Sequence, residues 1–432
     1  MTAIRRAAGA SLAAVLMTGI LIGCGGGASE TGFSKNADVR GEHITVLLPY
    51  SIPKKLLDQF TAQTGVDVTL NTAGWDAVHS KLIVANQAQK NIGDVTEFDW
   101  SFTGQFAAAG WYEPLEDALD PQAVKDMGGI NDSFSADGHL WAACYLNDFR
   151  ISVYNKQQLA AAGVKSFPRT FAVLGKAADA IKRTNASDYA LAIPMGATEG
   201  GVTPWYLLTL AMGGQLFDEN DQPQFASPDS AGYKALQWEV NAVKKGWVSP
   251  AAVTFDDTDA LDKFSAGAAA IYLAGAPGNF FDISSDPQSP IGPDVRAGLV
   301  PGTHGPGGTF PLPEGLGIPV TSEHKDAALA FINWMLEPKT QVGLYERAGF
   351  LPCRRSAVQA LARSGELQGG DVLQEELTHI EPLFPGGAPQ WYSKFSSEAQ
   401  GLLNAAVKGD MSVGDALQQL SSTASELAKG GS

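Results

Sequence analysis

The chain has little cysteine, little histidine and a shortage of positive charge. Its 432 residues include three cysteines and six histidines, and neither type recurs at the C-x-x-C or i, i+4 spacing that metal sites use. Aspartate and glutamate outnumber lysine and arginine by 46 to 30, for a formal net charge of −16. Nucleic acid is bound through a basic face, so we expect no nucleic-acid partner. The scattered cysteines and histidines lead us to expect no metal, and we expect no cofactor.

The sequence also lacks the G-x-S-x-G, H-E-x-x-H and P-loop motifs of common hydrolases and nucleotide-binding proteins. We therefore predict that the protein is not an enzyme. A secreted glycoside hydrolase is the alternative, because its two carboxylates are held apart by the fold and need no fixed spacing in the sequence.

A long apolar run occurs only at the N-terminus. Arg5 and Arg6 precede an uncharged stretch, 7–23, in the order of a secretory signal peptide. The run ends in the letters LIGC, which resemble the lipobox of bacterial lipoproteins. The resemblance implies cleavage of 1–23 and acylation of Cys24, which would anchor the protein on the extracytoplasmic face of the cell membrane. A plain transmembrane anchor with an incidental cysteine is the alternative.

Residues 24–41 are typical of a flexible tether. They contain five glycines and several small polar residues, and Phe33 and Val39 are their only large apolar side chains. A flexible chain of this length spans roughly 20–25 Å from end to end. The sequence therefore predicts that the remainder of the chain works outside the membrane.

Two further cysteines, Cys144 and Cys353, leave two options open. An extracytoplasmic compartment permits a disulfide between them. Two buried free thiols are the alternative, and the sequence does not separate the two.

The first residues after the tether predict an α/β fold. HITVLLPY at 43–50 reads as an apolar strand, and 51–65 carries a helical face with proline near its start and Gly65 at its end. VDVTL at 66–70 is a second strand. A strand, a helix and a strand in succession indicate a βαβ unit, and helix and strand signals alternate onward.

Six stretches, taken in chain order, resemble the segments of one family. They are GDVTEFDWSFTGQFAAAGWYEPLED (93–117), GHLWAACYLNDFRISVYNKQQLAAAG (138–163), GGQLFDENDQPQFASPDSAGYKAL (213–236), DKFSAGAAAIYLAGAPGNF (262–280), GLGIPVTSEHKDAALAFINWMLEPKTQ (315–341) and GFLPCRRSA (349–357). The set resembles the bacterial extracellular solute-binding proteins of carbohydrate ABC importers, the group of maltose-binding protein. It departs from them at Cys144, where the family often has proline, and at Ala276, where it often has tryptophan.

The resemblance implies a two-lobed α/β fold of the periplasmic-binding-protein type, with hinge crossings between the lobes. One lobe would hold 42–146 plus 316–357, and the other 150–310 plus 358–432. A monomer would bind a neutral mono- or oligosaccharide between the lobes and deliver it to a membrane ABC permease. A polyol, a glycerophosphodiester or a peptide is an alternative ligand.

A sugar site needs polar groups around the hydroxyls and flat rings against the C–H faces. Tryptophan and tyrosine stand next to polar residues in several predicted loops of this chain. Asp148 matches a sugar-binding carboxylate of the maltose-binding branch, and a hinge salt bridge with Arg150 is its structural alternative. The candidate ligand-binding residues are Tyr50, Trp75, Asp76, Asp99, Trp100, Asp148, Arg150, Trp205, Asn279, Glu314, Gly315 and Trp391.

Overall fold

A computed structural model describes residues 32–34 and 37–430. The predicted signal peptide, 1–23, and the predicted lipidation site, Cys24, lie outside the described residues. Among those that are described, no helix is both long enough and apolar enough to cross a membrane.

Strands and helices alternate along most of the described chain. The strands are β1 His43–Leu48, β2 Asp67–Thr72, β3 Val95–Asp99, β4 Ser135–Ala136, β5 His139–Leu140, β6 Ala143–Leu146, β7 Ile151–Asn155, β8 Tyr189–Ala192, β9 Ala269–Gly275, β10 Val295–Gly298 and β11 Glu314–Gly317. The α-helices are α1 Lys54–Thr64, α2 Trp75–Gln87, α3 Thr103–Ala109, α4 Pro121–Met127, α5 Lys156–Ala161, α6 Phe171–Thr184, α7 Glu199–Ala211, α8 Ala231–Lys244, α9 Asp257–Ser265, α10 Pro277–Ser285, α11 Lys325–Met335, α12 Pro338–Ala348, α13 Arg355–Ser364, α14 Gly370–Glu376, α15 Tyr392–Lys408 and α16 Val413–Gly430.

The first sheet has five strands in the order β2-β1-β3-β11-β6. β1 pairs in parallel with β2 and β3, as a βαβ unit requires, whereas β11 runs antiparallel to β3 and β6. Helix α1 ends where Gly65 takes a positive φ of 76°, a conformation that glycine adopts without steric cost. The predicted βαβ opening is therefore confirmed. Pro53 occupies the N-cap position of α1, and no described side chain caps this end of the helix.

The second sheet has four strands in the order β10-β7-β9-β8. β7 is antiparallel to β10 and β9, and β8 is parallel to β9. The first sheet has one buried core, which includes Phe98 and Phe106. The second sheet contributes to two, one with Trp205 and Phe217 and one with Phe264. The chain crosses from the first sheet to the second between β6 and β7, and it returns between β10 and β11. A third crossing follows α12. The expected lobe boundaries at 316 and 357 fall inside β11, which belongs to the first sheet, and inside α13.

Cys144 and Cys353 form a disulfide in the structure. Both cysteines belong to the core of the first sheet, and Cys144 in β6 lies opposite Gly315 in β11. The bond links two segments that each lie next to a crossing, 209 residues apart in the sequence.

Part of the expected tether packs on the first lobe. Phe33 is buried in the core of the first sheet, and the backbone N–H of Ser34 donates to Asp326 at 2.8 Å. Val39 also packs against this core. Burying a large apolar side chain is favourable, so the expectation that all of 24–41 is free chain is wrong at these residues.

Candidate functional site

Residues of both lobes line one cavity of about 100 Å³. This cavity is small against the roughly 300–1,000 Å³ of pockets that hold drug-sized ligands. Tyr50, Trp75 and Asp99 follow or end the parallel strands β1, β2 and β3, so the cavity lies at the carboxyl ends of those strands. The lining residues are Tyr50, Trp75, Asp76, Asp99, Trp100, Ser101, Asp148, Arg150, Glu199, Gly200, Thr203, Tyr206, Asp257, Leu312, Glu314 and Tyr392.

Two buried carboxyl groups form the wall on the first lobe. Asp99 ends β3 and lies directly opposite Glu314, which begins β11. Opposite residues of an antiparallel pair share one face of a sheet, so both side chains lie on the same face. The backbone N–H of Ser101 donates to Asp99 Oδ1 at 2.8 Å, and the Tyr50 hydroxyl donates to Glu314 Oε1 at 3.2 Å.

The electrostatic environment of this wall favours the neutral carboxyl form. Burial raises the pKa of Asp99, and the nearby charge of Glu314 raises it further. The hydrogen bond from Ser101 acts in the opposite direction. Burial likewise raises the pKa of Glu314, with Glu97 adding to the shift. The wall is therefore rich in acceptors and has no basic side chain of its own.

Aromatic rings flank the two carboxyl groups. Trp75 is the first residue of α2, and its ring centroid lies 5.5 Å from that of Phe102. The Phe102 ring in turn stacks on the His79 ring, with their centroids 4.4 Å apart. Trp100 follows Asp99 directly and packs 5.1 Å from Tyr392 of the second lobe. The Trp100–Tyr392 contact closes one side of the cavity across the two lobes.

An ion pair lies on the first crossing between the sheets. Arg150 donates to Asp148 Oδ2 at 2.6 Å, and the backbone N–H of Phe149 donates to Asp148 Oδ1 at 2.8 Å. The side chains are 17% and 14% exposed, so the pair is largely shielded from water. The hydroxyl of Thr309, on the second crossing, accepts from the backbone N–H of Arg150 and donates to the backbone carbonyl oxygen of Arg150. Both the expected ligand contact and the structural alternative fit this position.

The wall on the second lobe comes from one face of α7. Glu199, Thr203 and Tyr206 recur at the spacing of a helical face and all line the cavity. Glu199 accepts from the Tyr392 hydroxyl at 2.5 Å and from the Ser396 hydroxyl. Burial raises the pKa of Glu199, and these two donors oppose that shift.

Eight of the twelve candidate residues come together in this cavity, and four do not. Trp205 is fully buried, and its indole N–H donates to the Gly232 carbonyl oxygen at 2.8 Å. Trp391 packs among Phe217, Phe384 and Phe395, so neither tryptophan offers a free ring face. The Asn279 side chain accepts from the Ala276 N–H at 2.8 Å and caps α10. A Cβ on Gly315 would meet the Phe98 carbonyl oxygen and the Phe134 ring, each at 2.8 Å.

Two tyrosines that are not among the candidate residues line the cavity where the two tryptophans were expected. Tyr206 and Tyr392 each follow a candidate tryptophan by one residue and line the cavity. One step along a helix turns a side chain by roughly 100°, which is enough to move it from the core to the cavity. The unbroken apolar run that places Trp205 inside α7 is a signal of its burial.

The profile of the bacterial extracellular solute-binding proteins matches residues 46–342, more than half of the chain. The chain belongs to this family. Membership confirms the prediction of an extracellular solute-binding protein, which acts outside the cytoplasm.

Relatives and solved structures agree with this assignment. A mannitol-binding protein of Pseudomonas aeruginosa is 26% identical over 361 residues, which cover 78% of this chain and 81% of that protein. A solute-binding protein of Thermotoga lettingae, bound with alpha-D-tagatose, has a TM-score of 0.81 at 20% identity and covers 90% of this chain and 100% of its own. Maltose-bound MalE3 of T. maritima has a TM-score of 0.79 at 22% identity, with 89% and 99% covered. These structures confirm the predicted two-lobed α/β fold.

Proposed function

We propose that the protein is a receptor for a small neutral ligand with many hydroxyl groups, a monosaccharide or a hexitol, and that it delivers this ligand to a membrane ABC permease. The observation that carries the proposal is one small cavity in which carboxyl groups face aromatic rings. Carboxyl oxygens accept hydrogen bonds from hydroxyl groups, and rings pack on C–H faces. The named ligand of the mannitol-binding relative has the same chemistry.

Charge argues against an anionic solute in this cavity. Six lining residues are acidic, whereas Arg150 is the one basic residue among them, and it is paired with Asp148. A glycerophosphodiester would bring a negative charge that no unpaired basic residue of the lining balances. The small volume further favours a single ring or a linear hexitol over an oligosaccharide.

The two lobes would hold the ligand by closing on it. We keep the expected lobes, 42–146 plus 316–357 and 150–310 plus 358–432, with two changes. Glu314 and Gly315 join the first lobe with the rest of β11, and the boundary at 357 moves to the start of α13. Hinge closure of two domains around a ligand is a well-established motion. In this proposal the protein acts as a monomer and releases its ligand chemically unchanged, so it is a receptor and not a glycoside hydrolase.

A thermal-shift screen of the protein tests the proposal. The panel contains D-mannitol, other hexitols, tagatose, hexoses and maltose, with glycerophosphodiesters and peptides as the competing classes. A ligand at about 100 times its dissociation constant adds about 2.7 kcal/mol of stability, which raises the melting temperature. We expect a shift from a hexitol or monosaccharide and recovery of the ligand intact. Shifts from phosphodiesters or peptides alone, or release of a cleavage product, would overturn the proposal.

We also propose that acyl chains on Cys24 hold the receptor on the membrane. Two chains give a stable anchor where one gives marginal binding. Changing Cys24→Ser should leave an uncleaved precursor or a form released into the medium, as fractionation of cells would reveal. A Cys24→Ser protein that is cleaved and still bound to the membrane would contradict the anchor.

A further inference from the structure

Glu97 lies directly behind the wall of the cavity on the first lobe. It precedes Asp99 by two residues in β3, so it shares the face of the sheet that carries Asp99 and Glu314. Glu97 is fully buried and Glu314 is 5% exposed. Only Glu314 lines the cavity. The two carboxyl groups lie within hydrogen-bonding reach of each other.

Each of these carboxyl groups has one satisfied and one unsatisfied oxygen. The Tyr145 hydroxyl donates to Glu97 Oε2 at 2.7 Å, and the Tyr50 hydroxyl donates to Glu314 Oε1 at 3.2 Å. Over the part of the chain that the structure describes, Glu97 Oε1 and Glu314 Oε2 have no donor. An ionised carboxylate can only accept, whereas a protonated one also donates. One proton between the two groups would satisfy both orphaned oxygens.

We propose that Glu97 and Glu314 share one proton and that Glu97, through this proton, positions the ligand-facing carboxyl group of Glu314. Glu97 is thus a positioning residue, since it does not itself line the cavity. The shared proton leaves the pair with one negative charge. It also holds Glu314 Oε2 inward, so that Oε1 stays next to Tyr50 and the cavity.

The surrounding groups support one proton rather than none. Burial raises the pKa of Glu97, and Glu314 and Tyr145 as hydrogen-bond partners oppose this shift. Burial also raises the pKa of Glu314, and the charges of Glu97 and Asp148 add to it. The titratable and charged groups that face the pair from neighbouring elements are Tyr50, Asp99, Tyr112, Tyr145, Asp148 and Arg150. The one cation of this set is paired with Asp148, so a second negative charge at the pair would be uncompensated.

A pH dependence of ligand affinity follows from this arrangement. Removal of the shared proton would put two like charges side by side in a buried place, where repulsion is strong. Glu314 would then turn from its position next to Tyr50. Affinity for a hydroxylated ligand should therefore fall as the pH rises through the titration of the pair.

The proton can be counted in the ligand-free protein. Infrared spectroscopy separates the carbonyl band of a protonated carboxyl group from that of a carboxylate. We expect that Glu97→Gln and Glu314→Gln each remove one protonated carboxyl group near neutral pH, and that the double variant also removes one. Loss of two groups in the double variant would mean that each residue holds its own proton. Loss of none would mean that both are ionised. Either result would overturn the proposal.

Ligand affinity supplies the second readout, and this readout rests on the proposed function. The probe is D-mannitol, measured by calorimetry from about pH 5 to about pH 9, above the ordinary range of a carboxyl group. In the wild type we expect the affinity to fall about tenfold or more across this range. Glu97→Gln should bind as the wild type does at neutral pH, because its amide N–H replaces the shared proton, and should change by no more than about twofold with pH. Glu97→Ala, which has no donor, should bind more weakly at every pH.

Glu376 supplies the matched control. It is a buried glutamate outside the cavity, and burial raises its pKa to about 8. Glu376→Gln should keep the pH profile of the wild type, whereas an identical profile in Glu97→Gln would overturn the positioning role. If no sugar or polyol binds at any pH, the proposed function fails. The infrared count still decides whether the proton is shared.

Discussion

The two walls of the cavity use similar residues in different states. On the first lobe, Asp99 and Glu314 lie at strand ends, where Ser101 donates to Asp99 and Tyr50 donates to Glu314. On the second lobe, Glu199 accepts from three side chains, including Tyr392 and Gln400. A carboxyl group with spare lone pairs can accept a ligand hydroxyl, whereas a satisfied one mainly holds its neighbours in place. The first wall is therefore built to bind, and the second to shape the cavity.

The reason for the difference lies in the backbone. Adjacent strands of the first sheet bring carboxyl groups together from segments far apart in the sequence, and Tyr145 and Tyr50 each donate to only one oxygen of Glu97 and of Glu314. On the second lobe, α7 and α15 pack side by side and their facing polar residues pair with one another. The comparison predicts large effects from changes to the first wall and its support, and small effects from changes to the second wall. The following changes test it.

The largest expected effect concerns the support of the first wall. Replacing both Cys144 and Cys353 by alanine should lower the free energy of unfolding by about 2–5 kcal/mol, because the disulfide no longer restricts the unfolded chain. Denaturant unfolding of a Cys24→Ser background measures the loss. A reducing agent should produce a similar loss in the background protein and none in the alanine variant. Equal stability of all four samples would show that the bond contributes nothing.

A smaller effect is expected at the binding oxygen of the first wall. Asp99→Asn keeps Oδ1 as the acceptor of the Ser101 N–H and replaces the other oxygen by an amide group. Leaving a buried ligand hydroxyl without its acceptor costs about 1–3 kcal/mol, so affinity for the ligand found in the screen should fall by about 5- to 150-fold. Calorimetric titration measures the change.

Asp120→Asn is the control for this substitution. Asp120 likewise accepts from the backbone N–H two residues further on, that of Gln122 at 3.0 Å, but it lies outside the cavity. The Asp120→Asn variant should bind the ligand with the affinity of the wild type. Equal binding by Asp99→Asn and Asp120→Asn would remove Asp99 from the site.

The sequence allowed the fold and the first wall to be predicted better than the second wall. Tyr50, Trp75, Asp99 and Glu314 lie at or next to strand ends, and strand ends can be located from short apolar runs. Parallel strands bring their carboxyl ends to one edge of a sheet, and the antiparallel strand β11 begins at that same edge, so such residues meet whatever the details of packing are. The expected gathering of these residues follows from topology alone.

Residues on helices were harder to place. Trp205 and Trp391 carry the side chains that suit a sugar, but they face the core, and Tyr206 and Tyr392 face the cavity. A loop-or-helix assignment does not fix rotation about a helix axis, and an almost wholly apolar helix such as α7 gives little amphipathic signal for it. Glu199 was missed for a related reason, since its role depends on partners in α15, nearly 200 residues later.

The smallest expected effect belongs to the second wall. Tyr392→Phe removes the hydroxyl that donates to Glu199 and keeps the ring that packs on Trp100. Because the ring is retained, affinity should change by no more than about threefold, whereas the lost hydrogen bond should lower the free energy of unfolding by about 0.5–1.5 kcal/mol.

The loss of stability in Tyr392→Phe should also depend on pH. Without this donor the pKa of Glu199 rises further above its ordinary value of 4.5, so the folded state keeps its proton to higher pH than the unfolded state does. Stability then declines more steeply in Tyr392→Phe than in the wild type as the pH rises above that value. Unfolding curves at several pH values measure the slope, and a tenfold loss of affinity in Tyr392→Phe would instead place the binding oxygens on the second wall.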